Sequence, residues 1–160
     1  MAIQQEEYGS NYRSHLLEQY KLYVEMADRI SNRRAQTNRF YISLLSGLLA
    51  LLSIVVGRDL CSDFQTIVFI VISVLGLTLC ALWNMNILSY RQLNSGKFKV
   101  IHKMEQHLPF PCYNREWEIL GEGEKSKKYL QLTRVEQYVP FILAIPYILL
   151  FLYPLWAWIK

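Results

Sequence analysis

Three runs of the sequence contain no Asp, Glu, Lys or Arg: residues 40–57, 64–88 and 139–159, which are 18, 25 and 21 residues long. A helix rises about 1.5 Å per residue and the hydrocarbon core of a bilayer is about 30 Å thick, so 18 to 25 apolar residues suffice to cross it. The shortest run, 40–57, is also the length of a buried core helix. Only six residues, 58–63, separate it from the next run, however, and two apolar helices joined so tightly form a membrane hairpin. All of the charge, 17 basic and 13 acidic residues, falls on the remaining parts of the chain. Those parts are then about 31% charged, as expected where some segments face lipid and others water. This partition excludes a disordered tail, a disulfide-stapled secreted module and an ordinary soluble enzyme. The expected fold class is an all-α integral membrane protein with three transmembrane helices and additional helices in its N-terminal arm and its connector.

Basic residues set the orientation. Six lie before the first span (Arg13, Lys21, Arg29, Arg33, Arg34 and Arg39), nine lie in residues 89–138, and only Arg58 and Lys160 fall on the other side. The positive-inside rule therefore places residues 1–39 and the connector 89–138 in the cytoplasm, with the loop 58–63 and the C-terminus outside a cell inner membrane. The first 38 residues are polar and lack the apolar stretch of a secretory signal. Aromatic residues agree with this polarity. Phe40, Tyr41, Trp83, Tyr90 and Tyr138 are expected at the inner interface, and Phe64, Tyr153, Trp156 and Trp158 toward the outer one.

In the N-terminal arm, Ser10 or Asn11 can cap a helix in which Leu16, Tyr20, Tyr23, Ala27 and Ile30 recur at helical spacing. That seam can cover the protomer's own cytoplasmic face or pack against neighbouring copies, and the spacing leaves both open. Arg33, Arg34 and Arg39 follow at the membrane surface, where anionic headgroups attract each basic side chain by about 1 kcal/mol. A helix continuing from the second span is expected to break at Asn94-Ser95-Gly96. A short amphipathic piece then carries Phe98, Ile101, Met104 or Glu105, and Leu108, until Pro109 and Pro111 stop it. Asn114 starts a turn or two with Trp117 and Leu120, closed by Gly121 and Gly123. Residues 122–128 form a charged, glycine-punctuated loop. Thr133 and Glu136 have the spacing of a capping box leading into the last span, where Pro140, Pro146 and Pro154 are expected to bend the helix.

The search for chemistry returns little. Cys61, Cys80 and Cys112 fall on the outer side, within a span and in the cytoplasm, so they cannot pair within one chain, and the chain has no CxxC. His102 and His107 are five apart, which separates them by about 140° on a helix and gives no shared metal-binding face; His15 stands alone. Residues 121–126 lack the spacing of a phosphate loop, and their two acids oppose phosphate. No nucleophile, paired carboxylates or cofactor signature is present, so the expectation is a protein without enzymatic activity, metal or cofactor. The basic cluster is what any positive-inside protein carries and makes no case for nucleic acid.

The spans themselves contain no ionisable residue at depth, which disfavours ion-coupled transport. They contain small and weakly polar residues instead. Ser43, Ser46/Gly47, Ala50, Ser53 and Gly57 line one face of the first span at small-xxx-small spacing, and Ser73, Gly76, Thr78, Asn84 and Asn86 lie in the second. Packing within one protomer, packing between protomers and the lining of an axial opening all fit that pattern.

Three stretches taken together resemble a known family: YKLYVEMADRIS at 20–31, SYRQLNSGKFKVI at 89–101, and Glu116-Trp117 with Leu120-Gly121 and Thr133, Glu136 and Pro140. They are similar to bacterial RipA-like small membrane proteins described as octameric. In size and layout alone, the chain is also similar to the ring-forming membrane accessory protein of type VI-B CRISPR systems. The resemblance implies a homo-oligomeric ring, an octamer, with Tyr23, Glu25, Asp28, Arg91, Asn94 and Lys97 as cytoplasmic subunit contacts and an ion network among Glu25, Asp28, Arg91 and Lys97. The leading expectation for function is a pore-like membrane effector in envelope stress or phage (antiviral) defence. The alternative is a non-conducting scaffold whose cytoplasmic ring recruits a protein partner.

Overall fold

The computed structural model describes residues 8–57, 62–121 and 132–159, the side chains of residues 62–63, 132–134 and 157–159 excepted. Among the described residues the chain forms α1 (Tyr12–Val56), α2 (Ser62–Glu105), α3 (Cys112–Ile119) and α4 (Leu132–Ile159), and no strand. Stretches of α1, α2 and α4 are apolar and long enough to cross a membrane. At 45 and 44 residues, α1 and α2 are about 68 and 66 Å long, twice the thickness of a hydrocarbon core. Each span therefore continues without interruption into a polar arm.

On α1 a single inward stripe explains why no break is needed. Leu16, Tyr20, Tyr23, Ala27 and Ile30 all face inward, and the same spacing continues through Arg34, Thr37 and Tyr41 to Leu45, Leu48, Leu52 and Val55. Asn11 immediately precedes the helix, as a cap residue should; its carbonyl takes the Ser14 hydroxyl at 2.9 Å. On α2 the expected break at Asn94-Ser95-Gly96 does not occur. A glycine inside a helix costs about 1 kcal/mol, a penalty that tertiary packing overrides. Here Phe98, Ile101 and Glu105 face inward directly after it, and Ile101 and Glu105 are buried.

The chain divides into two compact units. One comprises the described residues of Met1–Arg33 and Tyr90–Gln131, the other those of Arg34–Ser89 and Leu132–Lys160. In the second, apolar unit, Leu45, Cys80, Trp83, Ile87 and Tyr147 form the core. Tyr147 packs flat over Gly76, where a Cβ would overlap the ring. Lipid supplies no hydrophobic drive to pack helices together, so close packing and interhelical hydrogen bonds must do it. Three such bonds tie α1 to its neighbours: Trp83 Nε1 to Asn38 Oδ1 at 2.9 Å, Asn86 Nδ2 to the Tyr41 hydroxyl at 2.9 Å, and the Tyr147 hydroxyl to the Leu45 carbonyl at 2.6 Å. Trp83, one of the aromatics expected at the inner interface, is 1% exposed and stacks on Tyr41. Phe40, Phe64, Tyr138, Tyr153 and Trp156 are exposed; the Trp158 side chain lies outside the described residues.

α4 is one helix despite Pro140, Pro146 and Pro154 inside it. Pro140, Tyr147 and Pro154 recur every seven residues on its buried stripe. Its backbone begins at Leu132, one residue before Thr133, whose side chain is outside the described residues, as are residues 58–61 and 122–131, with Arg58, Cys61 and Gly123 and the charged loop expected at 122–128.

Candidate subunit and membrane faces

In the polar unit, the arms of α1 and α2 pack along the seam and α3 is held by one carboxylate. Glu105, 1% exposed, accepts the Tyr113 and Asn114 amides at 2.8 and 3.0 Å and the Tyr20 hydroxyl at 3.0 Å. Pro111, at the N-cap of α3, makes no side-chain cap bond. A negative charge brought from α2 thus satisfies free amides at the positive end of α3. The Tyr20 phenol is pushed above its usual pKa by burial first, and then by its hydrogen bond to Glu105 and the charge there. Tyr113 is raised as well, by burial and then by Asp28, Glu116 and Glu105. At its far end α3 is closed by Leu120 and Gly121 amides on the Glu116 and Glu118 carbonyls, with Gly121 at φ +77°, a conformation that favours glycine.

The six residues expected at cytoplasmic subunit contacts separate into two groups. Glu25, Asp28 and Arg91 are exposed, whereas Tyr23, Asn94 and Lys97 face inward within the protomer. The Lys97 ammonium lies 4.9 Å from the centroid of the Tyr23 ring, a cation–π contact. Glu25 pairs with Arg29 at 2.7 Å, one helical turn along α1. The three arginines also separate. Arg33 and Arg39 are exposed, but Arg34 is turned inward, with its Nε 3.5 Å from Glu136 Oε2. His102 packs beside Phe98, and His15 bonds to the Tyr8 hydroxyl at 2.9 Å.

In the apolar unit, Ser73 and Gly76 of α2 are buried against the protomer's own core, while Thr78 is exposed and donates its hydroxyl to the Val74 carbonyl at 2.7 Å. Ser43, Ser46, Gly47, Ala50 and Ser53 on α1, and Gly57 just after its end, are all exposed. A Cβ added at Gly47 would meet nothing within 4 Å. The reason is angular: this row sits about 180° around α1 from Tyr41, Leu45, Leu48 and Leu52. Packing within one protomer therefore does not account for the α1 row. Ser53 donates its hydroxyl to the Leu49 carbonyl at 3.1 Å, so the row carries polarity that its own helix satisfies. Asn86 is engaged with Tyr41 and the Leu82 carbonyl, and Asn84 is half-buried. The Trp83–Asn38 pair escaped the sequence reading. An Asn at the edge of a span opposite a Trp was its one available signal.

A family model described as the octameric membrane protein family matches residues 17–156. The chain belongs to the octameric membrane protein family. No curated protein and no solved structure matches it. An octameric membrane protein whose protomer contributes three apolar helices is homo-oligomeric in the membrane, and the exposed faces of that protomer become candidate surfaces between copies. Among the described residues no group of His, Cys, Asp and Glu side chains is arranged to hold a metal.

Proposed function

We propose that eight copies form a ring in a bacterial inner membrane, N-termini in the cytoplasm and C-termini outside, and that the ring is a pore-like effector in envelope stress or phage defence. The observation that supports this reading is the exposed row Ser43, Ser46, Gly47, Ala50 and Ser53 on α1, continued by Gly57 at its end. Small residues let helices approach closely, and the protomer's own helices occupy the other side of α1. A three-span protomer is too small to enclose a conductive path, whereas eight around an axis can. Every copy inserts with the same side inward under the same charge bias, so cyclic symmetry is the closed arrangement compatible with that bias. The spans carry no ionisable residue, which suits passive permeation rather than coupled transport. In this reading the chain has no catalytic role and needs no cofactor.

The test is ion and dye release from liposomes reconstituted with the purified octamer, with and without lysate from stressed or phage-infected cells. Release by the native chain and its loss in Gly47→Leu are expected. Octamers that keep vesicles sealed under both conditions would overturn the pore and leave a scaffold that recruits a protein partner through its cytoplasmic parts.

A further inference from the structure

Cyclic assembly, on which this inference rests, places a requirement on the surface of the polar unit. A ring of identical subunits needs two different and complementary patches on each copy, because each contact is head-to-tail. The polar unit has two such patches. One is a groove of about 620 Å³ between the arms of α1 and α2. Its walls include Tyr12, Leu16, Tyr23 and Met104, and His15, Lys103 and His107 also line it, with no acid among its lining residues. The other is the short α3 and the turn before it. There Phe110, Trp117 and Ile119 are exposed at 63%, 37% and 62%, beside the exposed acids Glu116 and Glu118.

The patches lie on different sides of the helix pair. On α1 the groove is lined by Tyr12, His15, Leu16, Gln19, Leu22 and Tyr23, whereas Tyr20 reaches toward α3 through Glu105 and Asp28 acts electrostatically on Tyr113. At 100° per residue the centres of these two sets are separated by about 140° around the helix. On α2 the groove takes Val100, Lys103, Met104, Gln106 and His107, and α3 meets Phe98 and Glu105, with centres about 180° apart. A copy can therefore receive a neighbour in its groove on one side and present its own α3 on the other.

We propose that the α3 knob of each copy, with Trp117 and Ile119 foremost, seats in the groove of the next. Glu116 then faces Lys103, His15 and His107, while Glu118 stays paired with Arg115 of its own helix at 2.7 Å. The groove is in the size range of sites that take a ligand or a few large side chains. A Trp seated in such a pocket is the kind of anchor that dominates an interface, with the charges around it fixing register and choice of partner.

The experiment is cross-linking in membranes by a short bismaleimide. In a chain with Cys61, Cys80 and Cys112 changed to Ser and an octamer mass confirmed, Glu116→Cys and His107→Cys are introduced together. A denaturing-gel ladder of covalent multimers running up to eight is expected, with each single variant staying monomeric. An octamer whose double variant gives no multimers overturns the docking and leaves the ring intact. A native chain that never forms octamers removes the ring itself. Should the cysteine-free chain fail to assemble, Trp117→Glu in the native chain answers the same question: a shift from octamer to smaller species is expected, and an unchanged octamer overturns the docking.

Discussion

Glu105 is a carboxylate buried to 1% exposure with three hydrogen-bond donors around it. Hydrogen bonds to a charged group each contribute about 1.5–3 kcal/mol, and α3 has only eight residues, too few to persist as an isolated helix. Glu105→Ala is expected to cost about 3 kcal/mol and to free the amides of α3. Hydrogen exchange checks this: protection at Tyr113 and Asn114 should vanish while that of the α1 and α2 spans persists. Tyr20 gives the pH dependence. Its phenol is raised above the usual 10, so it keeps its proton in the folded chain after the unfolded chain has lost it. Stability from this group is complete below about pH 10 and is lost as pH rises toward the folded value. In Tyr20→Phe the alkaline loss of thermal stability should be shallower. A profile as steep as that of the native chain would remove Tyr20 as its source.

Among the elements, the contrast between two glycines separates packing inside a protomer from packing outside it. Gly76 lies beneath the Tyr147 ring and Gly47 faces open space. Gly76→Ala is expected to destabilise the apolar unit by about 1–3 kcal/mol through overpacking. Gly47→Ala should leave protomer stability unchanged or raise it by up to about 1 kcal/mol from helix propensity. Unfolding in mixed micelles compares the two. Tyr147→Phe deletes the hydroxyl bonded to the Leu45 carbonyl and should cost about 0.6–1.7 kcal/mol, the range of interhelical bonds in membranes. Much of this architecture was legible in the sequence. Uncharged runs mark the spans because charge is excluded from lipid, and the seam from Leu16 to Ile30 follows from spacing alone. The uninterrupted α2 was not legible, because Asn94-Ser95-Gly96 is a break by local propensity and only the packing of Phe98, Ile101 and Glu105 overrides it. The packing of Trp83 was not legible for a related reason. A Trp at the edge of a span suits a headgroup belt or a bundle core equally, and its partner Asn38 lies 45 residues away. The two orientations of small residues were likewise indistinguishable until the inward stripe of α1 was fixed.

At the scale of the whole molecule, the proposed ring needs eight copies acting together. The spans supply a small-residue face, the polar units supply a groove and a knob, and neither pair of surfaces is completed within one chain. The mass of the purified protein in a lipid nanodisc, with bound lipid and scaffold subtracted, tests this most directly. The monomer is 18.9 kDa, so the account predicts a single species of about 151 kDa. A monomer or dimer would contradict it, since neither can build the wall of a pore or close a head-to-tail contact.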